Sequence, residues 1–209
     1  MSFQFIINNA STINIDKSPV VAQTQSRDGT IRATTRGGSA WRFTVNFARG
    51  MAWDDLRPNI EAIEAKNRHT SDNINFNTGP TWMFPYRGEI ADITGWTTDT
   101  LSAGNTFIIS GFGSATVNTG DVVLKSGDLV QLGPTGHTYS VVSDVTKASG
   151  VNPTVTVHRP LLETGSGVNL TVGPACNFKV FCTQLPKVSM FDYKLATFSG
   201  PFQFVEDMT

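Results

Sequence analysis

Residues 41–47 alternate strictly between apolar and polar side chains, and this alternation constrains the fold more than any other feature of the sequence. The apolar set consists of Trp41, Phe43, Val45 and Phe47. A period of two places these side chains on one face of an extended chain, which is typical of a half-buried β-strand. Apolar residues alternate in the same way at Phe3, Phe5 and Ile7 and again at Ile13 and Ile15, so further strands are expected near the N-terminus.

One segment has a helical period instead. Leu56, Ile60 and Ile63 recur at the spacing of one helix face, which predicts a single α-helix over residues 54–68. The segment begins with two aspartates and ends with Lys66 and Arg68, an order that suits the helix dipole. No other segment of the chain predicts a helix as clearly.

The middle of the chain differs in composition from both ends. Residues 95–185 are rich in Thr, Gly, Val and Asn and predict short strands at 106–110, 116–117, 122–124, 129–132, 138–145, 154–158 and 178–182. This pattern is typical of a small β-sandwich or barrel. Bulky aromatics return near the C-terminus, where Phe202 and Phe204 alternate.

These shifts in composition predict a mainly β protein with one α-helix, built as two domains. The outer domain is expected to comprise residues 1–94 plus 186–209, and the inserted β-domain residues 95–185, because insertions are tolerated at loops whose ends lie close together. The chain has 209 residues, of which 39% are hydrophobic, and a net charge of −1. That balance argues against disorder and against a protein that coats nucleic acid.

No motif in the sequence predicts catalysis. No nucleophile elbow or phosphate-binding loop is present, and His69, His137 and His158 lack partners at metal-ligand spacing. Cys176 and Cys182 are expected to be reduced and buried, since a strand would hold them too far apart for a disulfide. We therefore expect no catalytic residue, metal or cofactor, and no enzyme. No apolar run approaches the ~20 residues of a membrane span, and no secretory signal is expected.

Two groups of residues are candidates for binding. Arginines are frequent in the first fifty residues, and Arg32, Arg36 and Arg42 predict a solvated or subunit-facing surface, with phosphate binding as the alternative. The aromatic candidates are Trp82, Tyr86, Trp96 and Tyr139. Such rings pack in a core, anchor a subunit interface or stack on sugars, and we favour core or interface.

Several segments together resemble tail-tip proteins of tailed bacteriophages, which have a fold related to the tail tube. The outer segments that carry this resemblance are the N-terminal strands, the strand at 41–47, the helix near 54–68, the proline-aromatic stretch at 80–86 and the closing residues 196–206. Residues 125–144 and 157–161 are similar to segments of minor tail proteins. In distal tail proteins the second domain often follows the first, whereas here it would interrupt it.

The resemblance implies a virion structural protein, a distal-tail or minor-tail component of the tail tip or baseplate. Such proteins form rings, usually homo-hexamers, and their sheets join around a lumen through which DNA passes without specific binding. The implied partners are the tail tube, hub and tape-measure proteins, and the implied location is the phage tail after assembly in the host cytoplasm. The alternative function is a carbohydrate-binding module for host-surface recognition, carried by the inserted domain.

Overall fold

A computed structural model describes residues 2–18, 21–25, 31–35, 39–47, 50–66, 69–192 and 194–209. Strands account for 40% of the chain and helices for 13%, so the predicted mainly β fold is confirmed. The chain divides into two compact units. Unit 1 comprises Met1–Asp72 and Lys179–Thr209, and unit 2 comprises Asn73–Phe178.

The first eight elements are α1 (Ser2–Asn8), β1 (Ala10–Asp16), β2 (Val21–Gln25), β3 (Ile31–Thr35), β4 (Arg42–Phe47), β5 (Met51–Ala52), α2 (Trp53–Glu64) and β6 (Asp72–Ile74). They are followed by a 3₁₀ turn (Thr81–Met83), β7 (Trp96–Thr98), β8 (Thr106–Phe112), β9 (Val122–Leu124), β10 (Leu129–Leu132), β11 (Thr138–Ser140), β12 (Val145–Thr146), β13 (Thr154–Thr156), β14 (Asn169–Val172) and a second 3₁₀ turn (Gly173–Ala175). The last strands are β15 (Phe178–Gln184), β16 (Val188–Asp192), β17 (Leu195–Phe198) and β18 (Phe202–Glu206).

Unit 1 is built on a curled sheet in which the antiparallel strands β1, β4, β18 and β15 follow one another in this order. The alternating strand of the sequence is β4, and the C-terminal strand β18 pairs with it so that Phe204 lies opposite Phe43. A second sheet has the order β16-β17-β5, and β2 pairs with β3 as a hairpin. The first and last segments of the chain therefore share one sheet.

The N-terminal segment is a helix, so the strand predicted from Phe3, Phe5 and Ile7 is wrong. The residues that α1 buries are Phe3, Ile6 and Ile7, whose spacing of three and four is helical. Phe5 is only half-buried, which shows that the alternation there is coincidental. The predicted strand around Ile13 and Ile15 is present as β1.

The predicted central helix is present as α2, which begins at Trp53 and ends at Glu64. Its buried residues are Leu56, Ile60 and Ile63, as the periodicity predicted. Leu56 and Ile60 pack against Ala196 of β17. Lys66 follows the helix, and Arg68 lies outside the described residues.

The six strands of the main sheet of unit 2 close into a barrel. The strand order is β11-β10-β14-β7-β8-β13, and the two ends of the sheet meet where Val141 bridges Val157. Hydrogen bonds of 2.9 Å from Val142 N to Thr156 O and of 3.0 Å from His158 N to Ser140 O complete this seam. Closure removes the exposed edges that an open sheet would present.

The barrel explains where the units divide. The predicted boundaries are 94/95 and 185/186, whereas the units of the structure divide at 72/73 and 178/179. Tyr86 and Ile90 pack into the hydrophobic core of unit 2, and Glu89 N donates to Val122 O at 2.8 Å. The predicted strand at 116–117 is absent, while β7 and β14 were not predicted as strands.

Candidate assembly surface

The main sheet of unit 1 has one buried and one open face. The buried face is made by alternate residues of three neighbouring strands, among them Phe43, Val45, Phe202, Phe204 and Val180. Helix α1 covers part of this face, with the rings of Phe3 and Phe204 at 5.2 Å between centroids. Burial of these aromatic side chains is the main force that holds the sheet and the helix together.

The opposite face carries polar side chains together with the half-buried Phe181 and Val205, and it is not covered by any helix in the part of the chain that the structure describes. The register places Asp16 opposite Arg42, and Arg42 opposite Val205. Asn14, Thr44 and Gln203 form the next row across the same three strands. A shallow depression of about 280 Å³ lies on this face between Asp16 and Gln203.

Asp16 on β1 lies opposite Arg42 on β4, so the open face carries an acidic and a basic side chain next to each other. Hydrogen bonds from Ser18 lower the pKa of the Asp16 carboxyl, and the nearby Arg42 lowers it further, so the Asp16 side chain is charged at neutral pH. Arg32 lies in β3 opposite Thr24, and its side chain is outside the described part of the chain. Arg36 also lies outside the described residues. The three arginines therefore remain interface candidates, of which only Arg42 has a described environment.

Strand β1 is an outer strand of this sheet and presents a long unpaired edge. Its only neighbour among the described strands is β4. The strand has seven residues, Ala10–Asp16, and contains no lysine, arginine or proline. Monomeric proteins usually protect such an edge with lysine, proline or a covering segment. One irregularity in the pairing, between Ala10 and Thr12, leaves the rest of the edge regular.

Strand β16 presents a second edge in the smaller sheet of unit 1. It pairs only with β17 within the described residues, and its five residues also contain no basic side chain or proline. Met190 on this strand is 52% exposed, which is unusual for a large apolar side chain. β1 and β16 are thus outer strands of two different sheets, and each is able to accept a strand from another chain.

The four aromatic candidates lie in different environments. Trp96 and Tyr139 are fully buried in the barrel, so neither ring has a face available to a sugar. Tyr86 is half-buried and donates a hydrogen bond of 2.7 Å to Val123 O, and burial raises its pKa to about 12. Trp82, in contrast, is 77% exposed. Trp82 is therefore the one ring of the four that is largely exposed to solvent.

Unit 2 contains a cluster of polar side chains that no sequence pattern predicted. Glu163 accepts hydrogen bonds from the backbone N and from Nδ1 of His137, the latter at 2.8 Å, and from the Tyr139 hydroxyl. Burial disfavours ionisation of Glu163, but the bonds from His137 and Tyr139 outweigh it and lower its pKa. Arg159 lies over the Tyr139 ring at 4.9 Å. Because the Glu163 oxygens already have protein donors, the cluster holds the loop before β14 on the barrel.

Other features of the described residues give no sign of a reactive centre. They contain no group of three His, Cys, Asp or Glu side chains that could hold a metal ion. A cleft of about 440 Å³ lies beside Trp96 and Leu170, and Thr94, Asn169 and Thr171 line it without any charged side chain. No described helix is both long and apolar enough to cross a membrane.

The sequence predicted a strand at β1 but none at β16. Ile13 and Ile15 predicted a strand at β1, yet its position at the outside of the sheet depends on β4 pairing with β18, which lies more than 150 residues further along the chain. Glu163 and His137 are 26 residues apart, and no spacing rule connects them.

No protein family matches the sequence of this chain, and no curated protein matches it.

Proposed function

We propose that this chain is a structural subunit that joins to copies of itself through the edges of unit 1 and forms a ring in a bacteriophage tail. The observation that carries the proposal is that β1 and β16 each pair on one side only among the described strands. The apolar face of the main sheet is already filled by aromatic side chains of the same chain, which leaves the strand edges as the places for a partner. Two different edges favour head-to-tail contacts, and such contacts close into a ring when the rotation between copies allows it.

The phage assignment rests on the resemblance of the sequence to tail-tip proteins. Under this proposal the chain is a distal-tail or minor-tail component, six copies surround the channel for DNA, and the ring attaches to tube, hub and tape-measure proteins. It acts by assembly and performs no catalysis. The near-balanced charge of the open face, with Asp16 opposite Arg42, fits a surface that DNA passes without being held.

The mass of the protein in solution tests the assembly step. Light scattering coupled to size-exclusion chromatography should give about six times the 22.6 kDa of one chain. Lysines placed on the outer strand, in the variant Thr12→Lys with Asn14→Lys, should shift the protein to monomer, since both side chains are exposed and charge disfavours edge pairing. Gln203→Lys is the matched control, because it adds charge to the same face on the central strand β18.

Three results would count against the proposal. A wild-type protein that stays monomeric at every concentration removes the assembly step, and a ring that tolerates the double lysine substitution removes the role of β1. The phage assignment has its own test, which is the identity of the genes beside the coding gene. If none of them encodes a tape-measure or tail-tube protein, the assignment to a tail is wrong.

A further inference from the structure

Trp82 has an indole ring that is largely exposed and not part of the hydrophobic core. It is 77% exposed, whereas Trp41 and Trp96 are buried and Trp53 is half-buried. An exposed tryptophan leaves a large apolar surface in water, and that surface gains free energy when a ligand covers it. The exposure of Trp82 therefore favours a role in binding a ligand and not a role in stabilising the fold.

The backbone that carries this ring is held in place within unit 2. Trp82 is the middle residue of the 3₁₀ turn Thr81–Met83, in which Met83 N donates to Pro80 O at 3.0 Å. The segment is anchored by Phe76, whose buried ring contacts Phe84 at 5.0 Å and Phe178 at 5.8 Å between centroids. Because the turn is already ordered, ligand binding costs little backbone conformational entropy there.

The segment that carries the ring is polar but uncharged. Residues 73–86 contain no acidic or basic side chain, and Asn77, Thr78 and Thr81 are exposed on the same segment as Trp82. Amide and hydroxyl groups donate and accept hydrogen bonds with other hydroxyl groups. Nucleic acid would require lysine or arginine to neutralise phosphate, and an ionic peptide would require an opposite charge.

We propose that Trp82 and the uncharged turn around it bind a neutral oligosaccharide. One face of a pyranose ring carries only C–H groups and covers the indole, while the hydroxyl groups at the ring edge reach the side chains of Asn77 and Thr81. This function goes beyond ring assembly and depends on unit 2 alone. Its test is therefore independent of the proposed role of the edges of unit 1. The ligand class follows from the combination of an exposed aromatic ring with neutral hydrogen-bonding groups.

An array of neutral and acidic oligosaccharides, probed with the full chain, tests the proposal. Binding should occur to neutral members and should weaken at least about tenfold in Trp82→Ala, the loss expected when an anchoring aromatic is removed. Val151→Ala is the matched control, since it truncates another exposed apolar side chain of unit 2. Asn169→Ala in the 440 Å³ cleft separates binding at the turn from binding at the cleft.

Acrylamide quenching of tryptophan fluorescence gives an independent readout. The bound neutral sugar should protect the exposed indole from quenching in wild type, and this protection should disappear in Trp82→Ala while the melting temperature stays unchanged. The proposal is overturned if no neutral sugar binds, if only acidic sugars bind, or if Asn169→Ala weakens binding and Trp82→Ala does not. Loss of the oligomer in Trp82→Ala would also overturn it, because the ring would then belong to a contact between copies.

Discussion

Replacing Glu163 by glutamine should destabilise unit 2 measurably. The carboxylate accepts three hydrogen bonds, two on Oε1 from His137 and one on Oε2 from the Tyr139 hydroxyl. An amide of the same size has one acceptor oxygen, so the bonds at one end of the side chain are lost and the others no longer involve a charge. Hydrogen bonds to charged groups contribute about 1.5–3 kcal/mol each.

We therefore expect Glu163→Gln to lower the free energy of unfolding by about 2 kcal/mol. For a chain of this length, that loss corresponds to a fall of about 4–8 °C in the melting temperature. Differential scanning calorimetry, or near-ultraviolet circular dichroism as a function of temperature, measures the change. Glu61→Gln on the exposed face of α2 is the matched control and should change the stability by less than about 0.5 kcal/mol.

The pH dependence provides a second check on the same reasoning. The pKa of Glu163 is lowered in the folded state, so the carboxylate stabilises the fold fully above its unfolded pKa of about 4.3. This contribution is lost as the pH falls through the lowered folded pKa. The difference between wild type and Glu163→Gln should therefore shrink in acid. An equal difference at all pH values, or no difference near pH 7, would refute the argument.

Three further predictions test other parts of the fold. Phe204→Ala removes a fully buried ring between Phe3 and Phe202 and should cost about 3–5 kcal/mol in urea unfolding. Asp207→Asn removes the charge that pairs with Lys179 at 2.8 Å and should cost about 1–2 kcal/mol by the same assay, an effect that high salt should not abolish because Asp207 is buried. Gly113→Ala should lower the melting temperature more than Gly120→Ala, since both glycines have positive φ but only the Cβ at Gly113 would lie 2.3 Å from a backbone oxygen. Equal shifts in the two variants would contradict the role of that close approach.

The sequence predicted best the elements whose periodicity reflects a single buried face. Alternation identified β4 and β18, and helical spacing identified Leu56, Ile60 and Ile63 in α2. At the N-terminus, alternation predicted a strand where the structure has helix α1, because Phe3 and Ile7 satisfy both a period of two and a helical spacing of four. The burial of Ile6 and the half-burial of Phe5 distinguish the two patterns.

Features that depend on distant pairing could not be read from local patterns. Strand β14 contains only four residues, and its neighbours β10 and β7 lie far from it along the chain. Trp96 and Tyr139 resemble exposed loop aromatics in sequence, but closure of the barrel buries both. Trp82 has a similar local sequence and remains exposed, which shows that burial of an aromatic is decided by tertiary contacts.

The pairing of β4 with β18 also constrains the order in which the protein forms during synthesis. Translation delivers β4 more than 150 residues before β18, so the apolar side of β4 lacks one of its neighbours until β18 has emerged. Residues 73–178 contain all strands of the barrel and emerge before that moment. A nascent chain stalled before β18 should therefore expose aromatic side chains of unit 1 to chaperones, while its barrel resists proteolysis.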